Sequence, residues 1–342
     1  MLNVTVHHWT AADAMPWPVQ SPFRMRPGLA RRPPTEPAAG CLRPDALAAV
    51  YAEHRRPRLP QAMVGEPDPR VLERLHQALQ THGMAQVRTD AKTLALALQD
   101  DFVVLHDEAD PDGQWRFRLR FLSVAFPSNW DPTEKLGLDF AAIHAPVADN
   151  ALIQQGAEGI MDLAFRRQPM QRHVWLISPD GALPQHPRER QRRWQDALER
   201  AGAGRVLEQA FFRVERQTTW PLPDIQRGVF FIRVMVCPLV QVLALDPLRA
   251  AALAASSPAA RRTRASSTPG AASTPATSSL FSVSVPVLST HTVSTLARLS
   301  MALSCCASVP MCARRTAATA NVRLASSTRP SGTSGTSAAT TL

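Results

Sequence analysis

The chain has 342 residues, 45% of them hydrophobic, with a formal net charge of +10 and a pI of about 10.7. The charge is unevenly distributed, because residues 247–342 hold nine Arg and no Lys, Asp or Glu, whereas residues 1–246 hold 29 basic and 28 acidic residues. The excess positive charge therefore lies in residues 247–342, which disfavours a nucleic-acid-binding role for the near-neutral body. No apolar run reaches the ~20 residues of a membrane-spanning helix. The start also lacks a secretory leader, so we expect a cytoplasmic protein.

The cysteines give no framework for a disulfide-rich fold or a zinc site. None of the five stands in a C-x-x-C pair, and three lie in the acid-free C-terminal stretch: Cys41, Cys237, Cys305, Cys306 and Cys312. A zinc site needs closely spaced pairs of cysteines, and a disulfide-rich fold needs more cysteines in a shorter chain.

Residues 1–45 are rich in Pro, Trp and Arg. This composition predicts an irregular segment that wraps over the domain through Trp9, Trp17 and Phe23, with a disordered leader as the alternative. The first strong periodicity follows over residues 70–82, where four apolar side chains share one helical face: Val71, Leu72, Leu75 and Leu79. A second helix is predicted near residues 91–98.

Residues 101–106 and 115–124 flank a Pro-Asp-Gly turn and predict a β-hairpin. Alternation along the second strand places one set of side chains on one face, Trp115, Phe117, Leu119 and Phe121. The intervening Arg116, Arg118 and Arg120 take the other face.

The next segment carries helix-start signals: Asp131 as N-cap, Pro132 at the first helical position and Glu134 at the third. A helical run over 138–143 should end near His144, because a proline two residues later disfavours helical geometry before it.

Three further elements complete the chain before the last hairpin. We predict an amphipathic helix over 151–167, a short strand over 173–178 and a charged surface helix over 187–201. Helices interleaved with antiparallel hairpins indicate an α+β domain.

Residues 211–239 predict a second hairpin with a long loop, punctuated by Pro221, Pro223 and Gly228. In the first strand one face carries Arg213, Glu215 and Gln217 and the other Phe212, Val214 and Thr218. In the second strand Phe231, Arg233 and Met235 alternate with Phe230, Ile232 and Val234. Charged residues at period two inside a buried hairpin need partners or a ligand.

Several of these motifs resemble the haem-dependent oxidative N-demethylase-like family, the haem-bearing α subunit of bacterial dimethylamine-type oxygenases. The similarity spans residues 15–245 and rests on FPSNWDPTEKLG, AAIHAPV, RHVWL and FFRVERQTTWPLP with RGVFFIRVMVCPL. The resemblance implies a PAS-like core with an antiparallel sheet and flanking helices that binds haem b. Val174 stands where the family usually has Asn, and the final part of the family pattern is missing.

The implied reaction is the O2-dependent removal of a methyl group from a small secondary amine, with release of formaldehyde. Electrons would come from reductase and ferredoxin-like partner subunits that use NADPH, FMN and an iron–sulfur centre.

Two other hypotheses remain open. The chain could be a haem-binding PAS-like sensor or non-catalytic member, or an inactive truncated product of a frameshifted gene.

His144 is the candidate haem-iron ligand, since it lies in a family motif at a helix end beside apolar residues. His173 is the alternative, followed by His106, whereas His7, His8, His54 and His186 stand in Pro-rich or charged surroundings that predict solvated side chains. A structural His at position 144 is the competing interpretation.

Three arginines are candidates for the haem propionates, Arg213, Arg216 and Arg233, because a guanidinium binds a carboxylate through forked hydrogen bonds. The alternative is a structural ion pair, for instance between Glu215 and Arg233. Glu215 and Gln217 are candidate cavity residues that would favour an ammonium substrate or supply protons. Trp175, with Trp220, could contact a methylated amine through cation–π interactions.

The predicted organisation is an N-terminal wrap over 1–45, a haem-binding PAS-like domain over 46–246, and a low-complexity, disordered tail over 247–342. A natural linker is one interpretation of that tail. The other is a frameshift near 250–262, because residues 262–266 can be back-translated in another frame to Tyr-Lys-Gly-Leu, which resembles a segment of the family's final helix.

Overall fold

The computed structural model describes residues 10–20, 28–32, 42–84, 86–145 and 151–255. The predictions made for Trp9, Phe23 and the tail beyond residue 255 lie outside these described residues. Within them, no helix is both long and apolar enough to cross a membrane.

The described residues form one antiparallel sheet of seven strands, in the order β1-β5-β6-β7-β3-β4-β2. The strands are β1 (Ala30–Arg31), β2 (Met63–Gly65), β3 (Asp101–Ala109), β4 (Trp115–Ser123), β5 (Met170–Ser178), β6 (Phe211–Leu222) and β7 (Arg227–Pro238). The predicted α+β class is therefore confirmed, since helices flank this sheet on both faces.

The helices in chain order are α1 (Ala48–Arg55), α2 (Leu59–Ala62), α3 (Pro69–Thr81), α4 (Ala91–Ala97), α5 (Phe140–His144), α6 (Ala151–Gln155), α7 (Ala157–Asp162), α8 (Trp194–Ala201), α9 (Leu239–Ala244) and α10 (Pro247–Ala255). A π-helical turn, Leu163–Arg167, continues α7. Short 3-10 turns occupy Ala12–Ala14, Arg56–Arg58, Pro132–Lys135, Ala203–Gln209 and Pro223–Ile225.

The two faces of the sheet carry different helices. On the front face, α7 and its π-helical turn pack through Met161, Ala164 and Phe165 onto β3 and β4, with Phe140 and Ile143 of α5 beside them. On the back face, α3 and α4 pack on β3, β4 and β7, while α9, α10 and the N-terminal segment pack on β5 and β6.

The β6–β7 hairpin has a tighter connection than the sequence predicts. Pro221 pairs with Gly228 inside the ladder, so only the 3-10 turn and Gln226 connect the strands. Gln226 adopts φ 53°, a left-handed conformation. The predicted long loop is wrong, because Pro221 and Gly228 continue the two strands instead of ending them. The predicted division of side chains between the two faces agrees with the observed register.

A β-bulge changes one predicted face in β4. Val104 pairs with Phe121 and Leu105 with Leu119, so Arg120 is the extra residue. A bulge places two residues opposite one and reverses the alternation beyond it. Phe121 therefore packs on the back face with Phe102, whereas Phe117 and Leu119 remain on the front.

Carboxylate caps begin several helices. Asp68 caps α3, accepting a hydrogen bond from Arg70 N at 3.0 Å, and the four predicted apolar side chains of α3 are buried. Asp131 caps only the 3-10 turn, and α5 has its own cap, Asp139, which accepts from Ala142 N at 2.8 Å. The charged helix predicted from 187 begins only at Trp194, so that prediction is wrong for residues 187–193.

The N-terminal segment is held against the back face by Trp17. Its ring lies 5.2 Å from that of Phe212, and the Arg249 guanidinium lies 5.0 Å from the Trp17 ring. This contact places Trp17 on the back face, and the wrap of residues 1–45 over the domain stays a prediction.

Candidate functional site

A group of half-buried side chains lies on the front face of the central strands. They are Arg172, Val174 and Leu176 of β5, Glu215 and Gln217 of β6, and Phe230 of β7. The register places Arg172 beside Gln217, Val174 beside Glu215 and Leu176 beside Arg213. These residues line a partly uncovered region between the sheet and α5–α7, which we call the front chamber.

His144 enters this region from the last turn of α5. Its Nδ1 lies 2.8 Å from the carbonyl oxygen of Phe140, and its ring lies 4.1 Å from the Phe140 ring. A carbonyl can only accept, so Nδ1 carries the proton and Nε2 is the basic nitrogen. Burial lowers the pKa of the imidazole, and the charges of Arg172 and Lys135 lower it further. The ring is therefore neutral at neutral pH, which is the form that binds metals.

A polar chain crosses the chamber floor. Ser128 Oγ donates to Glu215, and Gln217 Nε2 donates to the other Glu215 oxygen at 2.9 Å. Arg213 Nε donates to Ser128 Oγ at 2.8 Å. Two side-chain donors therefore hold the Glu215 carboxylate in one orientation, close to the half-buried apolar residues of β5.

Arg172 connects this chain to His144 electrostatically. Burial lowers the pKa of the Arg172 guanidinium, whereas the Glu215 carboxylate raises it. The same guanidinium lowers the pKa of His144. The front chamber thus combines a neutral imidazole, a guanidinium, a carboxylate and an amide with apolar walls.

Arg213 is fully buried, and its donors face protein atoms. Besides Ser128, it donates to the carbonyl oxygens of Ala182 at 3.1 Å and Phe126 at 3.0 Å. Burial lowers its pKa to about 10, which leaves it charged at neutral pH. Its predicted contact with a propionate would require these hydrogen bonds to break.

The other two predicted arginines lie on the back face. Arg216 lies 3.4 Å from Asp100, and Arg233 lies 2.6 Å from Asp45 and 3.8 Å from Asp100. The predicted Glu215–Arg233 ion pair is wrong, because Arg233 pairs in register with Arg216 and so projects from the opposite face to Glu215.

The sheet also separates His173 and Trp175 from the front chamber. His173 lies beside Arg216 on the back face, where burial and that charge lower the pKa of its imidazole. Trp175 is buried with its ring 5.9 Å from that of Phe212. Trp220 stacks on Phe231. Trp175 pairs with Val214 of β6, and Trp220 lies six residues further along that strand, which is a distance of about 20 Å. The two Trp rings therefore do not enclose one ligand.

Two other described histidines, His106 and His186, have structural surroundings. His106 is half-buried 3.2 Å from Asp68, and His186 is buried 3.6 Å from Asp131. The prediction that His186 is solvated is wrong, because its charged neighbours fold over it. Within the described ranges, no group of three or more His, Cys, Asp or Glu could hold a metal ion. Cys237 is buried, which raises the pKa of its thiol to about 11.

Sequence reasoning missed Arg172 and Ser128 as site residues. Arg172 reaches the site through the pairing of β5 with β6, and Ser128 comes from the loop after β4. Arg172 is the only Arg, Lys, Asp or Glu in β5 and could have been singled out for that reason, but the face that it shares with Glu215 depends on register.

Comparison with known proteins gives one family. A model described as haem-dependent oxidative N-demethylase, alpha subunit-like, matches residues 62–258, which is more than half of the chain. No curated protein matches the sequence.

Proposed function

Because the chain belongs to the haem-dependent oxidative N-demethylase, alpha subunit-like family, we propose that its front chamber binds haem b with His144 as the iron ligand. The observation that carries this proposal is the convergence of His144, Arg172 and Glu215 on one face of the central strands. We further propose that the bound group serves oxidative N-demethylation of a small secondary amine.

The residues of the chamber fit a haem in three respects. The His144 ring is neutral and presents Nε2 as its basic nitrogen, because Nδ1 donates to Phe140. Phe140, Ile143 and Phe230 supply apolar surface for a flat macrocycle. Arg172 supplies a guanidinium that suits a propionate carboxylate.

Each polar residue of the chamber has a role in this proposal. The Phe140 carbonyl fixes the tautomer and orientation of His144. Glu215, held by Ser128 and Gln217, attracts an ammonium substrate and can hold or release a proton at its carboxylate oxygen. The surrounding apolar side chains exclude water, which strengthens the attraction between the carboxylate and the ammonium.

Haem, when bound, supplies the O2 and redox chemistry that the amino acids lack. The electrons require partner subunits, which we propose are a reductase and a ferredoxin-like protein. Arg216, Arg233 and Trp175 project from the back face, so we assign none of them a direct role at the front chamber.

The strand order β4-β3-β7-β6-β5, with α5–α7 inserted between β4 and β5, supports a PAS-like core within residues 46–246.

We also propose that the tail from about residue 258 arises from a frameshift. The family match ends at residue 258, within the stretch that lacks acidic residues. Sequencing the coding DNA tests this proposal, and an unbroken frame that encodes the same tail contradicts it.

The absorption spectrum of the full chain, expressed with ample haem, tests the assignment of His144. We expect a Soret band in the wild type that shifts or disappears in His144→Ala. The matched control is His173→Ala, which removes an imidazole from the back face and should leave the band unchanged. A band that responds only to His173→Ala, or no haem in any variant, contradicts the assignment.

Formaldehyde release on addition of dimethylamine and reductant tests the reaction separately. If the chain is an enzyme, it releases formaldehyde in proportion to the amine that is oxidised. The Glu215→Gln variant should keep the Soret band and have a kcat/KM at least tenfold lower than the wild type. A chain that holds haem and releases no formaldehyde is a sensor or non-catalytic member of the family.

A further inference from the structure

Residues 187–193 form an irregular segment on the surface between β5 and α8, which we call the basic strap. Its sequence, PRERQRR, holds one acidic residue, Glu189, and four arginines: Arg188, Arg190, Arg192 and Arg193. The helix predicted over these residues begins only at Trp194, so the strap follows the surface as turns and irregular backbone. The function proposed above assigns a role to none of its residues.

Hydrogen bonds on its inner side fix the backbone of the strap. Glu189 forms a forked ion pair with Arg58, at 3.0 Å from Nε and 3.1 Å from Nη2. The backbone N–H of Arg192 donates to the Asp180 carboxylate at 2.7 Å, and the side chain of Gln191 donates to a backbone carbonyl at 2.9 Å. Side chains on a fixed backbone lose less conformational freedom when a partner binds. The strap is therefore a preformed surface.

Most of the positive charge of the strap is not paired. Three of its guanidinium groups form no ion pair with any residue that the structure describes: Arg190, Arg192 and Arg193. The fourth, Arg188, pairs with Asp131 at 2.6 Å. Two carboxylates beside the strap have other roles, because the charge of Asp180 raises the pKa of the buried Arg213 and Asp196 accepts from a backbone N–H at the start of α8. Three cations are thus available to a partner.

The three unpaired arginines border one hollow next to the front chamber. This hollow has a volume of about 500 Å³, is open to solvent and is also lined by Asn129 and Asp196. Asn129 follows Ser128, whose hydroxyl donates to Glu215 on the chamber floor. The backbone N–H of Asn129 donates to the carbonyl oxygen of Gln185 at 2.8 Å, just before the strap. One loop therefore connects the cationic hollow to the chamber.

The charge of this surface selects an acidic partner. Guanidinium groups bind carboxylates through forked hydrogen bonds, and a surface of one sign steers a partner of the opposite sign onto it. Redox partners form small, transient complexes, for which such steering is well suited. A nucleic acid is disfavoured, because residues 1–246 hold 29 basic and 28 acidic residues and the strap is a local feature of this near-neutral body.

We propose that the basic strap is the docking surface for an acidic electron-donor protein. This inference rests on the function proposed above, because that function requires electrons from a partner. In the docked complex the reduced iron–sulfur centre of the donor loses one electron and the ferric haem gains it, with no bond formed or broken. The strap acts by holding the acidic surface of the donor beside the loop that contains Ser128 and Asn129.

Calorimetric titration of the full chain with a plant-type [2Fe–2S] ferredoxin, a strongly acidic protein, tests the docking at low ionic strength. We expect the dissociation constant to rise at least tenfold in the strap variant, which combines three substitutions: Arg190→Gln, Arg192→Gln and Arg193→Gln. The matched control removes the same charge from exposed arginines elsewhere and should raise it less than threefold: Arg43→Gln, Arg70→Gln and Arg88→Gln. The nine arginines of residues 247–342 are present in every variant, so their attraction for ferredoxin is common to all.

Three outcomes overturn the proposal: no binding of ferredoxin, an equal loss of affinity in the two triple variants, or a strap variant that loses affinity for short single-stranded DNA and keeps it for ferredoxin. Binding needs no haem, so the two proposals can fail separately. A wild-type chain that binds ferredoxin through the strap and shows no Soret band contradicts the haem site alone. A chain with a Soret band and equal affinities in both triple variants contradicts the docking surface alone.

Discussion

Buried arginines hold several loops of this protein to its sheet. Arg55, 1% exposed, donates to the carbonyl oxygens of Ala95 at 2.6 Å and Gln99 at 3.0 Å, and to Asp101 at 3.2 Å. Asp101 in turn accepts from the backbone of Phe126 at 2.8 Å. A charge removed from water needs hydrogen bonds of this kind to be tolerated, and Arg55 Nε is the one buried donor of this guanidinium that has no hydrogen-bond partner.

Arg213 performs the same function under the front chamber, and this leads to a stability prediction. Arg213→Ala leaves the carbonyl oxygens of Phe126 and Ala182 without their donor and opens a cavity. We expect a loss of about 3 kcal/mol or more in the free energy of unfolding. Urea denaturation measures it.

The control for that experiment is Arg200→Ala, which removes an exposed arginine from the end of α8. It should change the unfolding free energy by less than about 0.5 kcal/mol. An Arg213→Ala variant as stable as this control would mean that Arg213 is available to a ligand, as the sequence alone suggested.

Between the elements, the π-helical turn after α7 packs onto β7 through Phe165 and Gly228. Gly228 in β7 permits this contact, because a Cβ at that position would clash with the ring of Phe165 and lie 3.2 Å from its Cβ. The contact includes Cγ and Cβ of Phe165, which are close to its backbone. The clash can therefore be removed only if the π-helical turn itself moves.

We therefore expect Gly228→Ala to cost about 1–3 kcal/mol in the free energy of unfolding and to shift the Soret band. Gly159→Ala in α7 is the control, since a Cβ there meets nothing within 4 Å. It should change stability by less than about 1 kcal/mol. Equal melting temperatures for the two variants would show that the turn does not need this close approach.

In the molecule as a whole, the distribution of charge separates residues 1–246 from the stretch without acidic residues that follows them. The described contacts lie between residues 10 and 255, and the family match ends at residue 258. A chain that stops after residue 258 should consequently keep the Tm of the full chain within about 2 °C and the same Soret band. A large fall in Tm or the loss of haem would show that the tail takes part in the fold.

Most of the elements and the antiparallel α+β class follow from local patterns in the sequence. Period-two alternation in β6 and β7, the apolar face of α3 and the cap at Asp68 are local signals, and local sterics and hydrogen bonding suffice to express them. Family motifs indicated the same family that the comparison identifies over residues 62–258. They also singled out His144 and Glu215, both of which lie at the front chamber.

The assembled sheet is needed to show which candidate residues share a site. Trp175, Arg216 and Arg233 are as conspicuous in sequence as Glu215, but strand pairing places them on the back face. One bulged residue, Arg120, likewise moved Phe121 to the opposite face. Register and bulges depend on contacts between strands that are far apart in the chain. The sequence therefore predicts which side chains alternate within a strand, but the face of the sheet on which each set lies depends on how the strands pair.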